Sequence, residues 1–219
     1  MNRFFDFGYA LRITPLLLHA CLYTIGITIV GFAIALVLGL ALAILRRSPI
    51  AFVARPTAFF IEFVRSTPLL IQVYVLFYVA PLYGLTLSAL VAGTIGIAIH
   101  YGCYVSEVYR AGLNGVPRGQ WEAACALSMP RTSMWRSVIL PQAIRPVIPS
   151  LGNYLVAMFK DTPVLSAITV VEVMQQAKDI GSETFRYLEP ITLTGLFFLL
   201  ISVTFAAGVR HIEARVRLP

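Results

Sequence analysis

A chain of 219 residues that is 58% hydrophobic and only 12% charged is not a soluble domain, in which about 25% of residues carry charge. That deficit places it in a bilayer. The net charge of +7 is spread as arginines between apolar runs and not gathered on one basic face, which argues against a nucleic-acid partner and for the positive-inside rule. Cys21, Cys103 and Cys125 are odd in number and lack CxxC spacing, so they read as small apolar fillers and not as disulfides or metal ligands.

Residues 3–12 set Phe4, Phe5, Phe7 and Tyr9 among polar residues. They read either as a segment lying flat at the membrane interface or as a disordered tail. The apolar run after Arg12 is too long for a signal-peptide core and has no convincing cleavage site. Ile13 to Leu45 contains no Asp, Glu, Lys or Arg, and Ala20 to Leu45 predicts the first span. At 1.5 Å per residue it reaches roughly 39 Å, against a hydrocarbon thickness of about 30 Å.

Ser66 to Ser106 is equally free of these charges but too long for one crossing. Pro81-Leu82-Tyr83-Gly84 is a turn signal, and divides it into spans around 60–80 and 87–110. Pro146 to Val171 predicts a fourth span, interrupted by Lys160-Asp161, and Ile191 to Val209 a fifth. The expected fold is therefore all-α with five transmembrane helices, as one domain over 1–219. Segments 46–65, 110–145 and 210–217 together hold 12 of the 17 Lys and Arg residues, so their side is expected to be cytoplasmic. The N-terminus is then outside, the C-terminus inside, and 172–189 forms an acidic-leaning outer loop.

The longest cytoplasmic connection, about 114–145, is unusual. Pro117 opens a helix through Trp121 to Leu127, Pro130 ends or kinks it, and a second short helix, Ser133 to Leu140, leads to Pro141. Helices this short need a surface to pack on. Composition alone allows a helix resting on lipid headgroups.

Within this connection, Glu122 to Ser128 followed by Val138-Ile139-Leu140-Pro141 resembles the EAA signature of permease subunits of bacterial ABC importers. That family places a glycine where Ser128 stands and an isoleucine where Val138 stands. Glu62 to Tyr78, Tyr104 to Ala124 and Leu151 to Ile168 resemble the polar amino-acid uptake branch. Gln175 to Leu193 resembles the ectoine/hydroxyectoine permease subunit. The resemblance implies a coupling helix that docks on a cytoplasmic ATPase dimer through Trp121, Glu122, Ala123, Ala124, Ser128, Leu140 and Pro141. It also implies a second permease subunit, identical or related, and an extracytoplasmic solute-binding protein, in a bacterial inner membrane.

The chain has no GxxxxGK[ST] loop to cradle phosphates, so ATP and Mg are expected on the ATPase subunit, with no cofactor and no catalysis here. A self-sufficient channel or secondary carrier is the competing class, but carriers often show internal repeats and none is read. Lys160, Asp161 and Thr162 break the fourth span. Charges inside a span usually face a cavity or partner, which makes them candidates for the solute path. Otherwise Lys160 and Asp161 pair with each other at the membrane surface. Glu62 with Arg65 and Glu107 with Arg110 read as local i,i+3 ion pairs, and His100 as a satisfied intramembrane histidine.

Overall fold

The computed structural model describes residues 5–216, and these are helical with no β-strand. Helix α1 (Phe7–Arg46) has 40 residues, roughly 60 Å of helix, about twice the thickness of the hydrocarbon. Asp6 caps it, accepting a hydrogen bond from the Tyr9 N–H at 3.1 Å. Residues 7–12 thus belong to α1 and are neither a separate flat segment nor a tail; residues 3 and 4 lie outside the described residues.

Helix α2 (Ala51–Arg65) occupies most of what the sequence suggested was a connection. It is followed by α3 (Leu69–Tyr74), a π turn (Val75–Val79) and a 3-10 turn (Ala80–Tyr83). The two parts meet at 106°, so the predicted span at 60–80 is broken. Pro68 is the cause: it has no N–H, and its ring drives the preceding residue out of the helical region. Carbonyls freed at the break are taken up by Gln72, whose Nε2 donates to the Val64 and Thr67 carbonyls at 2.7 and 3.0 Å. Gly84, at φ 85°, closes the expected turn in the left-handed region.

Helix α4 (Ala89–Asn114) runs parallel to α1, with Gly31 against Ile97, Gly39 against Val105 and Arg46 against Glu107, and this pair is the spine of the molecule. Around it sit the buried side chains of Ala35, Val73, Ile97, Met158, Leu165 and Ile168. The 114–145 connection contains α5 (Arg118–Ala126), α6 (Arg131–Met134), a π turn (Trp135–Ile139) and α7 (Leu140–Ile144). The second helix thus continues through Pro141 and does not stop there. The wide turn just before it relieves the clash of the proline ring with the preceding turn.

Helix α8 (Val147–Asp161) ends at the predicted charged break, and a 3-10 turn (Thr162–Ile168) follows. Where an outer loop was expected stands α9 (Val173–Thr184). Glu172 caps it, accepting from the Met174 and Gln175 N–H groups at 2.9 and 2.8 Å. Val173, Ala177 and Ile180 pack on Ile13, Leu17 and Ala20 of α1, so the segment has an apolar face that its acidic composition hides. Helix α10 (Leu188–Val216) is the last described element, and only 6% of its most apolar stretch is buried against the rest of the chain. Among the described residues, three helices are long and apolar enough to span a membrane alone, and counting each bent pair, α2 with 69–83 and 147–168 with α9, as one span gives five.

Candidate functional site

Two groupings of side chains stand out, one at the arginine-rich end of the bundle and one along the middle of α4. The first is the 114–145 connection. Helix α5 has nine residues and is held by its own surroundings. Trp121 meets Trp135 edge-on at 5.2 Å, and Ala124 is buried. Val116, Ile139 and Ala143 form a small core with Trp121, Trp135 and Leu113. Gln142 Nε2 donates to Gln120 Oε1 at 3.1 Å, tying α7 back to α5. The opposite face of α5 is open: Glu122, Ala123 and Ser128 are exposed, and Leu127 is 75% exposed. Leu140 and Pro141 are also exposed.

This divides the predicted coupling residues into two sets. Trp121 and Ala124 are turned inward, whereas Glu122, Ala123, Ser128, Leu140 and Pro141 are exposed, and Leu127, outside the predicted set, is exposed beside them. Cys125 is exposed as well, which corrects its reading as an apolar filler; Cys21 and Cys103 are buried. The α5 helix ends with Ser128 at φ 51°, a conformation costing an L-residue roughly 1–2 kcal/mol. Two hydrogen bonds secure it, from Ser128 N–H to Cys125 O at 2.9 Å and Met129 N–H to Ala124 O at 3.1 Å. This left-handed closure is the usual place of a glycine.

The same end carries an ion cluster. Glu107 binds Arg110 through Nη2 at 2.6 Å and Nε at 3.0 Å, and also Arg46 from α1. The i,i+3 spacing revealed half of this cluster. Arg46, 61 positions away, gave no local signal.

The second grouping is a tyrosine row. Tyr101, Tyr104 and Tyr154 have ring centroids 5.7–6.3 Å apart, and His100 lies 5.2 Å from Tyr104. Tyr101 Oη donates to Asp161 Oδ2 at 2.6 Å. At the other end the Arg65 guanidinium lies 5.2 Å from the Tyr104 ring centroid. His100 Nδ1 meets Gln72 Oε1 at 3.1 Å, which links α4 to the break between α2 and α3. The row therefore joins α2, α4 and α8, with a carboxylate near one end and a guanidinium near the other. Such a surface can hold a solute's positive group by charge and by ring faces and its negative group by charge.

Of the predicted path residues, Asp161 alone enters this row. Lys160 is exposed, and no ion pair joins it to Asp161 among the described residues. Thr162 is fully buried, its hydroxyl donating to the Phe159 carbonyl at 2.7 Å. Glu62 and Arg65 do pair, at 3.7 Å.

Comparison with known families matches residues 31–218 to the binding-protein-dependent transport system inner membrane component. The chain belongs to this family. Among relatives, it is 44% identical over 214 residues to the "Probable amino-acid ABC transporter permease protein y4tG" of Sinorhizobium fredii, covering 98% of this chain and 92% of that protein. It is 33% identical to the L-cystine transport system permease protein TcyB of Bacillus subtilis, over 92% of this chain and 86% of that one. Among solved structures, a crystal structure of an amino acid ABC transporter with histidines superposes with a TM-score of 0.92 at 33% identity, covering 96% of this chain and 99% of that chain. The MetNI methionine ABC transporter, at 18% identity and a TM-score of 0.79 over 94% and 99%, shares the fold.

For an inner membrane transport component, the residues that sequence reading missed matter as much as those it found. Tyr101, Tyr104, Tyr154, Gln72 and Arg46 each lie in ordinary helical sequence. Tyrosines three apart on α4 share a face, but nothing local shows that α8 brings Tyr154 and Asp161 to that same face.

Proposed function

We propose that this chain is the permease subunit of an importer for a polar amino acid or related zwitterionic solute, driven by a separate ATPase and supplied by an extracytoplasmic binding protein. Two such subunits, identical or related, enclose the path. The arginine-rich end faces the cytoplasm, which puts the N-terminus outside. The relatives' names support amino acids as the solute class, and within that class ectoine or hydroxyectoine rests on the resemblance of Gln175 to Leu193. The tyrosine row with Asp161 is the part of this chain that the solute meets.

The observation that carries this reading is the two-faced α5. One face is pinned by Trp121 and Ala124, and the other presents Leu127, 75% exposed, beside Glu122 and Ala123 on a basic loop. A rigid short helix with an unused apolar anchor suits a cleft on a partner protein, and its attachment to α4 through Val116 and Leu113 carries displacement into the membrane. Leu127→Asp tests it, because a charge buried unpaired at an interface costs several kcal/mol while leaving the loop core intact. Copurification of the ATPase should be lost and uptake with it. A Leu127→Asp subunit that retains its ATPase and transports normally would remove α5 from the coupling role. Ala124→Asp is the wrong probe, since Ala124 is already buried within the chain itself.

A further inference from the structure

Arg65 is held differently from the other arginines near it. Arg46 and Arg110 make hydrogen-bonded pairs with Glu107. Among the described residues, the ion pair that Arg65 makes is a 3.7 Å approach to Glu62, whose side chain is 68% exposed. The Arg65 Nε is shielded from solvent and has no hydrogen-bond acceptor among the described residues. Buried donors are normally satisfied, and an arginine N–H kept dry and unpaired is costly.

The backbone fixes it there. Arg65 is the last residue of α2, before the break that Pro68 imposes. The Tyr104 hydroxyl donates to the Arg65 carbonyl at 3.4 Å, and its ring underlies the guanidinium. Gln72 braces the break from the other side through Val64 O, Thr67 O and His100. The side chain is 32% exposed, enough for a small anion to reach it.

We infer that Arg65 is the carboxylate-recognition residue of the solute path, an inference that rests on the amino-acid uptake proposed above. The planar guanidinium matches a carboxylate with two parallel N–H bonds. The solute's carboxylate approaches through the exposed part of the side chain and displaces the loose contact with Glu62. Asp161 stands beside Tyr101, one turn away on α4, about 4.5 Å of axial rise, and receives the solute's positive group. A zwitterion finds both signs on one tyrosine row.

Equilibrium binding to the permease–ATPase complex in nanodiscs tests this without the binding protein's own selectivity. The probes are labelled L-glutamine, L-cystine and L-arginine, each competed by its α-carboxamide, which keeps the positive group and loses the negative one. The parent complex should prefer the acid by tenfold or more. Arg65→Ala should weaken the acid by about that factor, leave the amide unchanged and so abolish the preference, while Arg65→Lys restores part of it. Glu62→Gln, which spares the fold, should tighten the acid severalfold and not the amide.

An Arg65→Ala complex that assembles and keeps the parent's preference overturns the inference. If Arg65→Ala does not assemble, an unchanged acid affinity in Glu62→Gln overturns it. Uptake by the parent system of the same amino acids separates the two readings. Uptake without any effect at Arg65 or Glu62 removes this inference alone, and absence of both binding and uptake removes amino-acid transport and the inference together.

Discussion

A Cβ placed on Gly39 would lie 2.9 Å from the carbonyl oxygen of Gly102 and 2.6 Å from Val105 Cγ1. The relation is reciprocal, because a Cβ on Gly102 would meet Leu38 at 2.9 Å. The α1–α4 spine thus depends on two facing residues without side chains, the arrangement by which helices in lipid gain van der Waals contact. Gly39→Ala should lower the thermal midpoint of the detergent-solubilised protein by several degrees, since overpacking of this kind costs about 1–3 kcal/mol. Gly26→Ala on the same helix meets nothing within 4 Å and should be neutral or stabilising by about 0.5–1 kcal/mol. Equal effects at the two positions, read by fluorescence-detected size exclusion after heating, would count against the close contact.

The hydrogen bond from Tyr101 to Asp161, 2.6 Å long, predicts a graded effect on uptake. Tyr101→Phe removes one donor to a carboxylate, a bond worth about 1.5–3 kcal/mol, and should raise KM for uptake about tenfold with little change in the amount of assembled complex. Asp161→Asn should be more severe because it removes the charge itself. Normal uptake kinetics for both variants would place the pair outside the path.

The other end of the bundle carries a pH-dependent latch. The Tyr9 N–H and, less strongly, Arg186 at 3.4 Å hold the Asp6 carboxyl below its ordinary value of 3.8. Arg186 also pairs with Glu189 and lies 4.3 Å from the Tyr9 ring centroid. A depressed folded pKa stabilises above the ordinary value, and that contribution is lost as pH falls through the folded one. The parent should therefore lose more thermal stability than Asp6→Asn between pH 5 and pH 3, with the two converging at the acid end. Parallel curves would show that the latch does not contribute.

Orientation is tested with reporter fusions. Those after Arg47, within 114–145 and at the C-terminus should read cytoplasmic. A fusion at Phe185, which is 90% exposed between α9 and α10, should read external, as should one at Gly84. Gly181 is a poor fusion point because a Cβ there would already press on Tyr187 at 2.4 Å. A cytoplasmic signal at Phe185 would invert the topology.

The sequence by itself determined the membrane class, the apolar segments, the turn at Gly84, the charged end of α8 and the basic loop with its proline-flanked α5. These follow from properties carried locally: uncharged length, proline's missing donor and arginine spacing. Ser128 was legible as a departure from the motif, and the structure adds why that position favours glycine. Tertiary structure decided the rest. Whether Trp121 or Leu127 faces outward depends on Trp135 and Ile139, which pack from beyond Pro130. Whether 172–189 is loop or helix depends on an apolar face that α1 and α10 complete. The meeting of Arg65, Tyr104, Tyr101, Tyr154 and Asp161 depends on how α2, α4 and α8 cross. A helix's period says which residues share a face, but only packing against other helices says what that face meets.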